Sequence, residues 1–145
     1  MEEKSYPFSV ITNEYKYEFL SISETKQVKK VVLFTKVSQE SVYNLALLDE
    51  LENGELSDNT ETNNNDLQTV LSTIIHIIED FLIKNKESII VFRSDDKRRQ
   101  RLYRIVIDRE IDRINKQFKI FGSLNENIYP FQSNQNYEYY LITKI

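Results

Sequence analysis

Cysteine and tryptophan are absent from this 145-residue chain, histidine and alanine occur once each, and glycine and proline twice each. Each scarcity closes a class of function. Without cysteine there are no disulfides, which suits a reducing, cytoplasmic setting. With one histidine and no thiolate, a zinc site lacks its ligands. With two glycines there is neither a Walker-type loop nor a GxGxxG fingerprint, and a loop poor in glycine does not easily wrap its backbone around a phosphate. No apolar run approaches the ~20 residues of a membrane-spanning helix. The opening Met1-Glu2-Glu3-Lys4 is acidic with no apolar stretch behind it, so no secretory leader is expected. Scarce glycine and alanine beside abundant asparagine, isoleucine and lysine also fit codon drift in an AT-rich genome, so the glycine count alone says little about design.

The residues that are present read as one domain over 1–145. A hydrophobic content of 40% is enough for a single core, and 145 residues are too few for two. Residues 14–23 alternate, with Tyr15, Tyr17 and Phe19 on one face and Glu14, Lys16 and Glu18 on the other. Residues 28–37 and 41–49 are two further strands, and short connections predict an antiparallel meander. Leu67, Val70, Leu71, Ile74, Ile75, Ile78, Phe81 and Leu82 recur at helical spacing, predicting a long helix over 66–84 capped by Asn65 or Asp66. The run Ile89-Ile90-Val91-Phe92 predicts a strand near the sheet centre, buried on both faces. From 97 onward, the apolar sets Leu102, Ile105, Val106 and Ile107, Ile111, Ile114, Phe118 point to nearly opposite sides of one helix. They predict a break near Asp108, with a strand over 102–107 as the alternative. Strands at 118–122, 127–131 and 137–145 close the chain. The fold class is α+β, mainly antiparallel, in the order βββ-α-β-α(α)-ββ.

Charge is unevenly placed. Residues 49–66 carry Asp49, Glu50, Glu52, Glu55, Asp58, Glu61 and Asp66 with no cation, and 50–64 is expected to be an exposed acidic loop. Lys97, Arg98, Arg99, Arg101 and Arg104 place five cations in eight residues with no acid among them. A helix start already carries partial positive charge, so this clustering asks for an anion. Either Asp95, Asp96 and the acidic loop supply it, or an external partner does: nucleic acid, a nucleotide or an acidic protein. Tyr103 beside the arginines could stack on a base, although a tyrosine on an amphipathic helix is more often at the edge of a core. The energetics favour the internal answer, which places one of Asp49, Glu50, Glu52, Glu55 or Asp58 against Arg98, Arg99, Arg101 or Arg104.

Catalytic signals are weak. Ser72, His76 and Asp80 form a row along one helix, a geometry that rarely makes a triad, and a surface pairing of His76 with Asp80 is the simpler reading. The acids of 49–66 do not follow the calcium-loop pattern. The catalytic residues are unknown, no metal is called for, and no cofactor is indicated.

Tyr43-Asn44-Leu45-Ala46-Leu47-Leu48-Asp49, Asn64-Asn65-Asp66 and Arg99-Gln100-Arg101-Leu102-Tyr103 resemble signature stretches of a family of small bacterial proteins of unknown function, best represented in the Bacteroidetes. The resemblance spans about 15–145, with Leu48 and Ser94 where that family usually has glycine, and it implies no activity. A weaker likeness concerns topology. Three strands, a long helix, a central strand, a helix bearing Leu102-Tyr103, then strands is similar to the second part of the Gcn5-related acetyltransferase fold. The glycine-rich loop before the long helix is here Thr60-Glu61-Thr62-Asn63-Asn64-Asn65, which implies shared architecture without the activity.

The function expected is a non-catalytic binding module that uses Lys97, Arg98, Arg99, Arg101, Tyr103 and Arg104 to meet an anionic partner. A divergent acyltransferase-like enzyme binding coenzyme A or a nucleotide is the alternative. Tyr129, Phe131, Tyr137, Tyr139 and Tyr140 concentrate aromatics in the last strands, which suits a homo-oligomer interface as well as a core.

Overall fold

In the computed structural model, which describes residues 5–11, 15–22, 27–37, 40–57, 66–93, 97–133 and 135–145, the pattern of alternation becomes one sheet. Its strands are β1 (Phe8–Val10), β2 (Lys16–Ile22), β3 (Gln27–Lys36), β4 (Val42–Glu50), β5 (Leu56–Ser57), β6 (Ile89–Arg93), β7 (Phe118–Leu124), β8 (Asn127–Pro130) and β9 (Tyr139–Lys144). The helices are α1 (Leu67–Lys84) and α2 (Lys97–Ile114). The spatial order is β1-β2-β3-β4-β6-β9-β7-β8, with β5 attached to β4. The α+β class and the antiparallel meander β2-β3-β4 are as the sequence predicts. β1 and β5 are additions that sequence patterning did not reveal, because three and two residues are too short to show a period.

Register decides the two faces. Tyr17, Phe19, Val32, Phe34, Tyr43, Leu45, Ile90, Phe92, Tyr140 and Ile142 belong to the same core cluster as the inner residues of both helices. Their alternating neighbours face the other way and are largely half-buried or exposed. Thus β6 buries Ile90 and Phe92 but leaves Ile89 and Val91 half-buried, which corrects the expectation of a strand buried on both faces. It does lie near the middle of the sheet.

α1 is amphipathic, with Ile74, Ile77, Ile78, Phe81 and Leu82 all buried on its apolar side. Ser72 and Thr73 on its polar side are buried as well. Phe81 stacks on Phe34 with centroids 4.1 Å apart.

α2 is unbroken from Lys97 to Ile114, which corrects the predicted break at Asp108. The apparent conflict between its two apolar sets disappears once Tyr103 and Glu110 are counted as inward. At ~100° per residue, the buried Tyr103, Val106, Ile107, Glu110 and Ile114 fall within a single arc of about 100°. Leu102 and Ile111 lie half-buried at its margins, and Ile105 lies outside the arc.

β7 turns into β8 through Asn125 and Glu126, both at positive φ (51° and 69°), the two-residue turn that follows strand twist. Gly122 in β7 lies under the Tyr137 ring, where a Cβ would sit 2.2 Å from the ring carbons, so only glycine fits. Among the described residues, no helix is long and apolar enough to cross a membrane.

Candidate functional site

β4 and β6 are the one parallel pair among the described strands, and they pair only over Val42–Ile89, Tyr43–Ile90 and Asn44–Val91. Beyond that they part, and β4 turns the edge of its last residues to β5, pairing Asp49 with Ser57 and Glu50 with Leu56. Both helices begin at this end of the sheet. α1 finishes at Lys84, a few residues before β6 starts, so its ~27 Å length runs back to the carboxyl ends of β4 and β6. α2 starts four residues after the last residue of β6. Asp49 and Asp66, which end the first two motif segments, therefore lie at one pole with the first turn of α2, where the third begins. There two helix N-termini add their partial positive charge.

Polar pairs line this pole, one of them buried. Lys30 Nζ lies 2.6 Å from Asp49 Oδ1, with side chains only 7% and 5% exposed. Glu50 accepts an ion pair from Lys29 at 3.5 Å. Asp66 occupies the N-cap position of α1, yet its carboxylate makes no capping bond. It accepts instead from Tyr6 Oη at 2.6 Å and from the Ser21 hydroxyl, pinning the start of the helix to β2 and to the segment leading into β1.

The basic segment is laid along α2. Lys97 and Arg101 are exposed and Arg104 is half-buried. At ~100° per residue these three share one flank, turned away from the buried arc. Arg98 and Arg99 lie in the helix, and their side chains fall outside the described residues. Tyr103 is not on this surface. It is 6% exposed and stacks on Phe92 at 4.4 Å, so its expected role as a base-stacking platform is corrected to a core role. Another aromatic occupies the pole: Tyr139, half-buried, with the Arg93 guanidinium 4.9 Å from its ring centroid. Below it Tyr140 is buried, its hydroxyl without a hydrogen-bond partner among the described residues, and burial pushes its pKa well above the usual phenol value.

The expected pairing of these acids with the arginines is not seen among the described residues. Asp49 and Glu50 are engaged by Lys30 and Lys29 instead, and neither Arg101 nor Arg104 pairs with a carboxylate there. Asp58, Asp95, Asp96 and the stretch 58–65 lie outside the described residues.

The Ser72-His76-Asp80 row separates into unrelated contacts. Ser72 donates to Glu110 at 3.4 Å, His76 Nδ1 lies 3.4 Å from Glu79, and Asp80 accepts from Tyr17 Oη at 2.6 Å and pairs with Lys84 at 2.9 Å. The partner of His76 is thus Glu79, not Asp80. Sequence reasoning missed a four-membered bridge here. Arg113 Nη1 donates to both oxygens of Glu79 at 2.8 Å, and Nη2 donates to Glu110 at 2.6 Å. Burial alone would raise the pKa of Glu79, but hydrogen bonds from His76 and Arg113 overcome it and hold the carboxyl below its ordinary value. Burial likewise works to lower the pKa of Arg113, and Glu79 and Glu110 reverse that. A cleft of about 540 Å³ runs beside this bridge, lined by His76, Glu79, Asp80, Arg113, Lys116 and Phe8 among others. A carboxylate held this firmly ionised is a poor general base near neutrality, so the bridge braces the helices rather than moving protons. No cluster of potential metal ligands exists among the described residues.

No curated protein and no solved structure matches this chain. Residues 2–145 match DUF6934, a family of unknown function, and the chain belongs to that family.

Proposed function

We propose that this protein is a non-catalytic binding module that meets an anionic partner through the first half of α2. The carrying observation is the asymmetry of that helix. From Lys97 to Ile107 it holds five cations and no acid, and Arg101 and Arg104 have no carboxylate partner among the described residues. Its second half is tied to α1, with Arg109 donating to Gln68 at 2.8 Å and Arg113 to Glu79. The start of α1 at the same pole adds a second helix dipole of the same sign. Polyanion binding that falls steeply with salt is the expected behaviour.

A second reading is an acyltransferase-like enzyme. It is favoured by the parting of β4 from β6 beside the start of α1, which opens the sheet at the carboxyl ends of a parallel pair. One set of titrations separates the readings. Heparin, a nucleic-acid strand and coenzyme A are each titrated against the wild type and the Lys97→Ala/Arg101→Ala/Arg104→Ala variant. The binding module predicts polyanion affinity lost in the variant and no saturable response to coenzyme A. Saturable coenzyme A binding, or polyanion affinity unchanged in the variant, overturns it. The exposed Ile128 and Tyr129 on β8 offer a surface for self-association, whereas Tyr137 and Tyr140 are core residues.

A further inference from the structure

We propose that the sheet face turned away from the helices is a dimer interface, occupied by the same face of a second copy. Strand alternation defines that outer face. A cross-strand row runs Thr35–Asn44–Val91–Leu141–Phe121 over five strands. Leu33, Ala46 and Leu48 stand beside it on the same face. None of the apolar residues here belongs to the core shared with the helices or packs against it. An antiparallel sheet with one solvated face is expected to be polar there. Instead, the outer-face positions from Val31 to Thr35, Val42 to Leu48, Ile89 to Val91 and Leu141 to Thr143 carry no charge. Leu20, Ile22 and Ile128 on the same face are 44%, 49% and 56% exposed. Charge is kept to β2 and to positions near strand ends, among them Glu50, Arg93 and Lys119. An uncharged apolar centre inside a charged rim is the composition of an interface, and homodimer interfaces are the more apolar kind.

Shape and size select the occupant. Two sheets of matching twist pack face to face at ~10 Å, with their strands ~30° apart. An identical copy supplies that twist without adjustment, and a two-fold axis in the plane of the face makes the surface self-complementary. The seven strands from β2 to β8, at ~4.8 Å spacing, make a face about 29 Å wide. With about 20 Å of strand length, it offers roughly 600 Å² in projection. Side-chain relief brings this near the ~800 Å² that a stable interface takes from each partner. Edge-to-edge pairing is the competing geometry, and the edges are poor templates for it. β1 and β8 are only three and four residues long. The face-to-face assembly has four layers, helix–sheet–sheet–helix, and leaves both copies of α2 in the outer layers. The dimer contact and the anion-binding surface are therefore separate.

The chain has no cysteine, so a single introduced thiol reports on the face without background. The test is sedimentation velocity of the full chain across a concentration series. It is joined to alkylation of two variants, Ala46→Cys on the outer face and Lys116→Cys beside the helices. The expected result is a dimer with a dissociation constant of about a micromolar or tighter. Alkylation of Ala46→Cys should slow as the dimer fraction rises, while Lys116→Cys reacts at one rate throughout. Val91→Lys should weaken association at least about 100-fold, because the two-fold axis buries the new charge twice. Circular dichroism verifies the fold of each variant, and if Val91→Lys does not fold, the alkylation series decides. A wild type that stays monomeric throughout the series overturns the proposal, and its co-sedimentation with neutral lipid vesicles would assign the face to a membrane surface instead. A dimer that survives in folded Val91→Lys, or Ala46→Cys alkylation that ignores concentration, places the contact elsewhere and overturns it as well.

Discussion

At the scale of single residues, the most consequential pair is the one the sequence conceals best. Lys30 sits in a strand-like run and Asp49 at the edge of an acidic loop, so each reads as a solvated charge on its own. Only the register that sets Lys30 opposite Asp49 puts both on the helix-covered face, where their side chains are almost fully buried. Removing one member of such a pair strands the other charge, whereas removing both need not be costly. Lys30→Met should therefore lower stability by about 3–5 kcal/mol, and Lys30→Met/Asp49→Leu should recover most of it. Urea denaturation of the two variants measures this. A double variant no more stable than the single one would mean that Lys30 and Asp49 act independently. Tyr103 shows the opposite failure of legibility. Its place among arginines suggested an exposed stacking surface, but residue type cannot say which way a helix is rotated until its other inward members are known.

At the scale of elements, helix positions were legible and helix rotation was not. The hydrophobic period of α1 predicts its bounds to within one residue. For α2 the period misleads, because an acid is one of the inward residues: Glu110 is 3% exposed. A buried carboxylate breaks the apolar pattern and makes one helix look like two. Its counter-charge is Arg113, shared with Glu79 across the helix–helix contact. Arg113→Met leaves two carboxylates facing each other, and the expected cost is about 3–5 kcal/mol at neutral pH. The sign of the pH dependence follows from Glu79. Its folded pKa lies below its ordinary value of 4.5, so its share of stability is present above that value and is lost as pH falls through the folded one. The stability gap between wild type and Arg113→Met should narrow as pH falls through the carboxylate range. In the variant Glu79 keeps the burial that raises its pKa, loses the Arg113 hydrogen bonds that lower it, and so takes up a proton sooner. Thermal unfolding across pH 3–7 (roughly, around the carboxylate range) checks both statements. A gap that stays constant across that range would show that packing, not charge, sets the cost.

At the scale of the whole molecule, local patterning gives the strands but not their order. β9 closes the chain yet lies between β6 and β7, and no residue in it announces that placement. The order follows from covering: Ile142 and Tyr140 must reach the core beside Ile90 and Phe92, and only a central position allows it. This order has a dynamic consequence. β4, β6 and β9 have strand neighbours on both sides and lie beneath α1 and α2, whose inner residues are closed to solvent. β1 and β8 are edges of three and four residues, and β8 is exposed along its whole length. Local openings that expose little apolar surface cost little free energy, whereas opening the centre exposes the core shared by both helices. Native-state hydrogen exchange should therefore give the slowest amides in β6, β9 and the middle of α1, with protection close to that of global unfolding. β1 and β8 should exchange orders of magnitude faster, through local fraying. The start of α2 lies between these limits, since among the described residues no ion pair ties its first half to α1, whereas Arg113 in its second half pairs with Glu79. An anionic partner bound there should selectively slow the amides of the first half of α2 and leave β1 and β8 unchanged. Uniform slowing across all elements would instead report general stabilisation and place the partner elsewhere.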